Sequence, residues 1–278
     1  MAAEQLTTVG LDALPPPEMA QKAEDVGVTK AGLDTATTFA LSVLAGAFIA
    51  MGAVFATTAT AGGGDLPYGV SRLLGGLTFS LGLILVVVAG AELFTGNNLI
   101  VMAWASRRVS TVRLLRNWGI VYVGNFAGAI TTAALLYLGK QYELGGGAVG
   151  AQAVSIAATK TGYGWWQAFV LGMFCNALVC MAVWLCYSAR STADKVLAVI
   201  PPIAAFVAAG FEHSVANMYF IPYGLFVEST EAFPDVPDLT WSNFLWGNLA
   251  PVTLGNIVGG ALMVGAIYWF VYLRTREG

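Results

Sequence analysis

Two carboxylates and the only histidine of this 278-residue chain sit where charge is otherwise absent. Glu92 is the one charged residue in the 33 positions from 73 to 105, Glu212 the one in the 32 from 196 to 227, and His213 directly follows Glu212. An ionisable side chain in mid-membrane costs about 2.5 to 3.5 kcal/mol on insertion scales, so it faces protein or a water-filled cavity and marks a candidate route for ions or protons. The run Glu212-His213-Ser214 contains the residue types of a hydrolytic triad. Three successive residues on helix or turn backbone point in different directions, however, and no Gly-x-Ser-x-Gly elbow accompanies them. A transport pathway is expected rather than an enzyme, with walls lined by apolar residues such as Phe79, Leu83 and Phe206. One histidine and three cysteines, Cys175, Cys180 and Cys186, cannot supply a conventional zinc or iron-sulfur site, and spacings of five and six make no disulfide framework. No metal and no cofactor are expected.

These residues need elements to hold them, and the composition names the medium. The chain is 57% hydrophobic and 10% charged, against roughly 25% charged in a typical soluble protein. Uncharged runs of 30, 23, 29 and 35 residues occupy positions 35 to 64, 117 to 139, 161 to 189 and 239 to 273. Each exceeds the 20 or so apolar residues that a helix needs to cross a bilayer. With the two stretches that carry Glu92 and Glu212, this predicts an all-α membrane protein of six transmembrane helices. A net charge of -3 without a basic run excludes a nucleic-acid partner. Placing both termini in the cytoplasm puts ten of the thirteen lysines and arginines on that side, as retention of positive loops requires. Lys140, Lys160 and Arg72 fall on the other. The domain reading is a cytoplasmic N-terminal segment over 1–34 with a short surface helix at 17–30, a membrane domain over 35–273, and a cytoplasmic tail over 274–278.

The chain repeats itself. Ala89-Gly90-Ala91-Glu92 followed by Asn97 recurs as Ala209-Gly210-Phe211-Glu212 followed by Asn217, and Gly124-Asn125-x-x-Gly128 recurs as Gly255-Asn256-x-x-Gly259. Three crossings per half is odd, so the second half enters from the opposite side, an inverted repeat of the kind found in membrane transport folds. Segments two and five are both expected to be broken helices. The first has a half over 73–91 and a second starting near Gly96 with Thr95 as cap. The other has a half over 196–210, beginning at Pro201-Pro202, and a second capped by Ser214 and running to about Tyr223. Two helix N-termini meeting at depth favour an anion.

These same residues carry a resemblance. Phe211-Glu212-His213-Ser214-Val215-Ala216-Asn217-Met218, Ala91-Glu92-Leu93-Phe94-Thr95-Gly96-Asn97-Asn98 and the paired Gly-Asn-x-x-Gly segments are similar to the formate/nitrite transporter family over about residues 14 to 273. The stretches 78–85 and 211–222 resemble the formate-channel branch most, while Glu-Leu-Phe-Thr-Gly is also like the nitrite and hydrosulfide branches. The resemblance implies a homopentamer of aquaporin-like protomers in the lipid bilayer of a bacterial inner membrane. Each protomer would pass small monovalent anions of weak acids: formate first, with nitrite, hydrosulfide, acetate or lactate as other members of the class.

Carried over residue by residue, the resemblance makes His213 the central pore histidine and Thr95 its hydrogen-bonding neighbour. Leu83 and Leu93 with Phe94 would form the cytoplasmic-side constriction, and Phe79, Val179 and Phe206 would line the pore. Lys160 would draw anions into the outer vestibule. Glu212, Asn176 and Asn217, with Asn125 and Asn256 of the repeated motif, would supply polar support. The physics of a dry constriction fits a proton-coupled passage through His213, because a neutral acid crosses where a bare carboxylate does not. The segment at 17–30 would cover the pore mouth at low pH. A neutral-solute channel for ammonia-like molecules would ordinarily carry a paired histidine, which is missing, and a sodium-driven transporter would require a sodium gradient.

Overall fold

A computed structural model describes residues 13–64, 66–230, 233 and 236–277. Residues 1–12 of the expected N-terminal segment and Gly278 of the expected tail lie outside the described residues. The described residues are helical with connecting turns. Helix α1 spans Pro16–Gly32, α2 Thr35–Thr60, and α3 Tyr68–Gly90 with a wide last turn from Val86. A 3-10 turn at Gly96–Ile100 leads into the short α4, Val101–Ala105. Next come α5 at Thr111–Leu138, α6 at Ala148–Thr161, α7 at Trp165–Ser188, α8 at Thr192–Ala208, α9 at Ser214–Glu228, and α10 at Asn243–Tyr272, which contains two π-helical stretches.

Five of these helices, α2, α3, α5, α7 and α10, are long and apolar enough to cross a membrane. Helices α8 and α9, with 17 and 15 residues, stand on either side of residues 209–213, and each alone is shorter than a bilayer requires. Large apolar side chains cover the outside, among them Leu135, Leu197 and Trp166. Water would oppose such a surface, whereas lipid or a neighbouring subunit accepts it.

Local chemistry sets most helix starts. The Asp34 carboxylate accepts the Thr37 N–H at 2.9 Å to begin α2, and Ser191 and Asp194 form a reciprocal capping box at α8. That box starts α8 at Thr192, ahead of the expected position 196, and leaves Pro201 and Pro202 inside the helix rather than at its start. The surface helix expected at 17–30 runs from Pro16 to Gly32, with Pro16 at the first turn, where a missing N–H costs nothing. It is strapped down by Arg108, which reaches Glu24 at 2.9 Å and Asp25 at 2.6 Å, and by Lys22, which donates to the Tyr187 carbonyl at 2.9 Å. Lys160 lies on the last turn of α6, a helix that the charge pattern does not signal.

Small residues let the long helices touch. A Cβ on Gly128 would collide with the Val43 carbonyl where α2 crosses α5, and one on Gly259 would collide with the Met173 carbonyl where α7 crosses α10. The two crossings use residues 130 or 131 positions apart, and the correspondence extends through both halves. Asn125 and Asn256 occupy equivalent crossings, and Lys30 on α1 corresponds to Lys160 on α6.

Candidate functional site

Both breaks are built alike. The Ala91 N–H bonds the Val86 carbonyl at 3.0 Å and the Phe211 N–H bonds the Phe206 carbonyl at 3.0 Å. Between them Gly90 and Gly210 take φ of +84° and +75°, the left-handed cap that ends a helix in a Schellman turn and that only glycine adopts freely. The chain then runs extended, and the next amides are caught by α2 and α7: the Glu92 N–H by the Leu41 carbonyl at 3.2 Å, the Glu212 N–H by that of Leu171 at 3.3 Å. One asparagine pins each strand from the crossing helix. The Asn125 amide accepts the Phe94 N–H at 2.8 Å and donates to the Ser42 and Glu92 carbonyls at 2.8 and 2.9 Å. Asn256 accepts the Ser214 N–H at 2.9 Å and donates to the Gly172 and Glu212 carbonyls at 2.8 and 2.9 Å. Backbone freed by a break is thus satisfied without water.

The carboxylates are paired. Glu212 Oε1 lies 2.7 Å from Lys160 Nζ, and its Oε2 accepts from Asn217 and Asn248 at 2.7 and 3.2 Å. Glu92 Oε1 lies 2.6 Å from Lys30 Nζ, and its Oε2 accepts from Asn97 at 2.7 Å, which bonds Asn117 in turn. Each buried carboxylate therefore has a cation and an amide partner, as the burial of such a group requires.

Among the positions where the two breaks differ, one changes the available chemistry. Leu93 stands 120 residues before His213, so the first half presents a hydrocarbon where the second presents an imidazole. His213 is the cap of α9. Its Nδ1 accepts the Ala216 N–H at 3.0 Å and its Nε2 meets Thr95 Oγ1 at 2.9 Å. An Nδ1 that accepts carries no proton, so the neutral ring has its hydrogen on Nε2, directed at Thr95. Two expected caps are corrected by this geometry. Ser214 is the first residue inside α9, and its buried hydroxyl has no hydrogen-bond partner among the described residues. Thr95 precedes the 3-10 turn without capping it, because its hydroxyl is engaged by His213. The Thr95 carbonyl in turn accepts from Asn176 at 3.3 Å, and the same amide donates to Asn98 Oδ1 at 2.9 Å and the Asn256 carbonyl at 2.7 Å. Asn176 thereby ties one break to the other.

Two cavities approach this point from opposite ends of α3. The first, about 290 Å³, is lined by Phe79, Lys160, Phe206, Glu212, His213 and Phe220 among others. The second, about 430 Å³, is lined by Lys30, Leu83, Glu92, Leu93, Asn97 and Lys195 among others. Phe79 and Leu83 are four residues apart on α3, so about 6 Å of helix rise, one turn, separates the α3 residues that line the two cavities. Aromatic rings close the first side: Phe79 lies edge-on to Phe206 with centroids 5.7 Å apart and stacks on Phe220 at 6.1 Å, while the Phe206 ring lies 6.0 Å from that of His213. Val179 is buried in the same core. The ring of Phe94, expected at the constriction with Leu83 and Leu93, packs against Tyr122 and Trp118 of α5 at 5.0 and 6.2 Å. The sequence reading did not single out Phe220, Lys30, Asn117 or Asn248. For Lys30 and Asn248 the repeat was the available signal, since Lys160 and the asparagine partners of Glu212 have counterparts in the first half. At the mouth of the second cavity, burial, with the charges of Lys195 and Arg190 behind it, lowers the Lys22 pKa from its ordinary value.

A helical bundle with membrane-length apolar helices, split by two cation-bearing cavities that meet at an apolar partition, defines a membrane transport protein. Residues 17–270 match the sequence pattern of the family described as formate/nitrite transporter. The chain is 45% identical over 276 residues to the formate channel FocA of Escherichia coli strain K12, covering 96% of this chain and 97% of the relative. It is 41% identical to the formate channel FocA of Haemophilus influenzae over 91% and 93% of the two chains. A solved structure described as a pentameric formate channel with formate bound superposes with a TM-score of 0.81 at 45% identity, covering 86% of this chain and 98% of that one. The chain belongs to the formate/nitrite transporter family.

Proposed function

We propose that this protein is a pH-dependent channel for small monovalent weak-acid anions, formate foremost, acting as a homopentamer in a bacterial inner membrane with both termini cytoplasmic. The observation that carries the reading is the partition itself: one imidazole and one hydroxyl, Nε2 and Oγ1 2.9 Å apart, inside an apolar barrier between the two cavities. The formate-channel relatives and the formate-bound pentamer support the substrate and the assembly. In this reading the five long helices and the α8–α9 pair make six crossings in an aquaporin-like inverted repeat. The Lys160 cavity is then the outer vestibule, and the Lys30 cavity, beneath α1, the inner one.

An anion enters a vestibule whose lysine is already matched by a glutamate and loses most of its water at the partition. There Phe79 and Phe206 on one side, and Leu83 and Leu93 on the other, offer it no hydrogen bonds. The donors within reach are the His213 Nε2–H and the Thr95 hydroxyl. To hand over a proton the ring must first take one on Nδ1, which costs the Ala216 hydrogen bond. A carboxylate close to Nε2 offsets that cost, so protonation and anion arrival go together. The solute then crosses the barrier as its neutral acid and releases the proton beyond it.

The test is uptake into proteoliposomes holding the full-length oligomer, with formate, nitrite, hydrosulfide and chloride compared at several pH values and without sodium. Formate flux well above chloride, undiminished by sodium removal, is expected. Equal flux of all anions, or none from a folded oligomer, would overturn the proposal.

A further inference from the structure

The Lys160 cavity holds two cations, and only one of them has a carboxylate. Lys160 is matched by Glu212 at 2.7 Å. Arg72, on the first turns of α3, lines the same cavity and makes no ion pair with any described carboxylate. Its guanidinium is held instead by carbonyls. Nη2 donates to Val207 and Nε to Ala208, the latter at 3.4 Å. Those oxygens terminate α8 at the break, where the helix dipole is negative, so the cation is fixed in place by partial charges and keeps its full formal charge. A guanidinium has five N–H donors, and these two contacts leave most of them free.

We propose that Arg72 is the anion-capturing residue of this vestibule, a subsite that binds a small carboxylate or planar oxyanion through its guanidinium before the anion reaches Lys160 and His213. An unmatched charge in a concave, low-dielectric cleft concentrates counter-ions. A planar fork of donors fits a carboxylate in a way that an ammonium does not. The inference deepens the channel reading and rests on it.

The experiment measures initial formate uptake against concentration in proteoliposomes of the full-length oligomer, at low and high ionic strength. It compares wild type, R72Q, R72K and Gly75→Asp. Gln retains an amide donor for the α8 carbonyls but no charge. Gly75 is one turn from Arg72 in the same cavity, and a Cβ there would meet only Thr60, at 3.4 Å. Its replacement by Asp therefore supplies the missing carboxylate and leaves the α8 cap intact. The concentration for half-maximal flux should rise on the order of threefold to tenfold in R72Q and in Gly75→Asp at low salt. The maximal rate should stay within about twofold and the salt dependence should flatten. R72K should keep the salt dependence. Wild-type half-saturation and salt dependence in either charge-neutralising variant would overturn the proposal. So would an equal drop of maximal rate in R72Q and R72K with half-saturation unchanged, which is the signature of a helix cap alone. Absence of selective anion flux from the wild type would instead strike the channel reading itself.

Discussion

The Asn256 side chain makes three hydrogen bonds inside the protein and lines neither of the two cavities, so its replacement isolates the energy of holding a helix break. Asn256→Ala strips partners from the Ser214 N–H and from the Gly172 and Glu212 carbonyls, all buried. The Gly172 carbonyl lies within α7 and keeps its helical partner, so two groups are orphaned; at about 1 to 3 kcal/mol each they sum to about 2 to 6 kcal/mol. Water drawn into the space of the lost amide recovers part of this, which leaves about 2 to 4 kcal/mol. At roughly 2 to 4 °C per kcal/mol for a chain of this size, the thermal midpoint of the detergent-solubilised oligomer should fall by on the order of 10 °C. Asn125→Ala removes the equivalent set, the Phe94 N–H and the Ser42 and Glu92 carbonyls, and should cost the same within about 1 kcal/mol. Two readings would refute the reasoning: a fall below about 2 °C in either variant, or a large loss in one with none in the other.

Neutralising one partner of the Lys160–Glu212 pair, 14% and 2% exposed at the side chain, should destabilise by about 3 to 5 kcal/mol. Lys160→Met combined with Glu212→Gln should recover most of that loss in a double-mutant cycle read by thermal unfolding. Gly210→Ala forces a Cβ residue to φ +75° with no contact closer than 3.5 Å, so its cost is conformational, about 1 to 2 kcal/mol, and Gly90→Ala should match it. At the start of α2, the Thr37 N–H holds the exposed Asp34 carboxyl below its usual pKa. A depressed folded-state value means stability present above the unfolded pKa and lost as pH falls through the folded one. The difference in thermal midpoint between wild type and Asp34→Ala should therefore be full at pH 7, persist at pH 5, and shrink below roughly pH 4.

How much of this was legible in the sequence depended on which physical signal each feature leaves. A buried charge is conspicuous in a run of apolar residues, so Glu92 and Glu212 located both breaks, and the Gly-Asn-x-x-Gly repeat located their two asparagine pins. Helix α6 left no such trace, because residues 140–160 mix Gly145, Gly146 and Gly147 with polar side chains and read as a loop. The caps were misread for a related reason. Ser214 and Thr95 have the residue types that begin helices, but an imidazole Nδ1 can accept the same amide hydrogen, and His213 displaced Ser214 from that role. Thr95 lost its hydroxyl to a partner 118 residues away, which no local pattern encodes.

The central claim is that His213 couples protonation to anion passage across the partition. Its most direct test is formate flux from pH 5 to pH 8 through wild type and His213→Asn in the same proteoliposomes. Asn keeps a hydrogen-bond donor at that position but cannot hold a proton. The account predicts that the ratio of variant to wild-type flux changes steeply with pH. A ratio that stays flat over the whole range would contradict it.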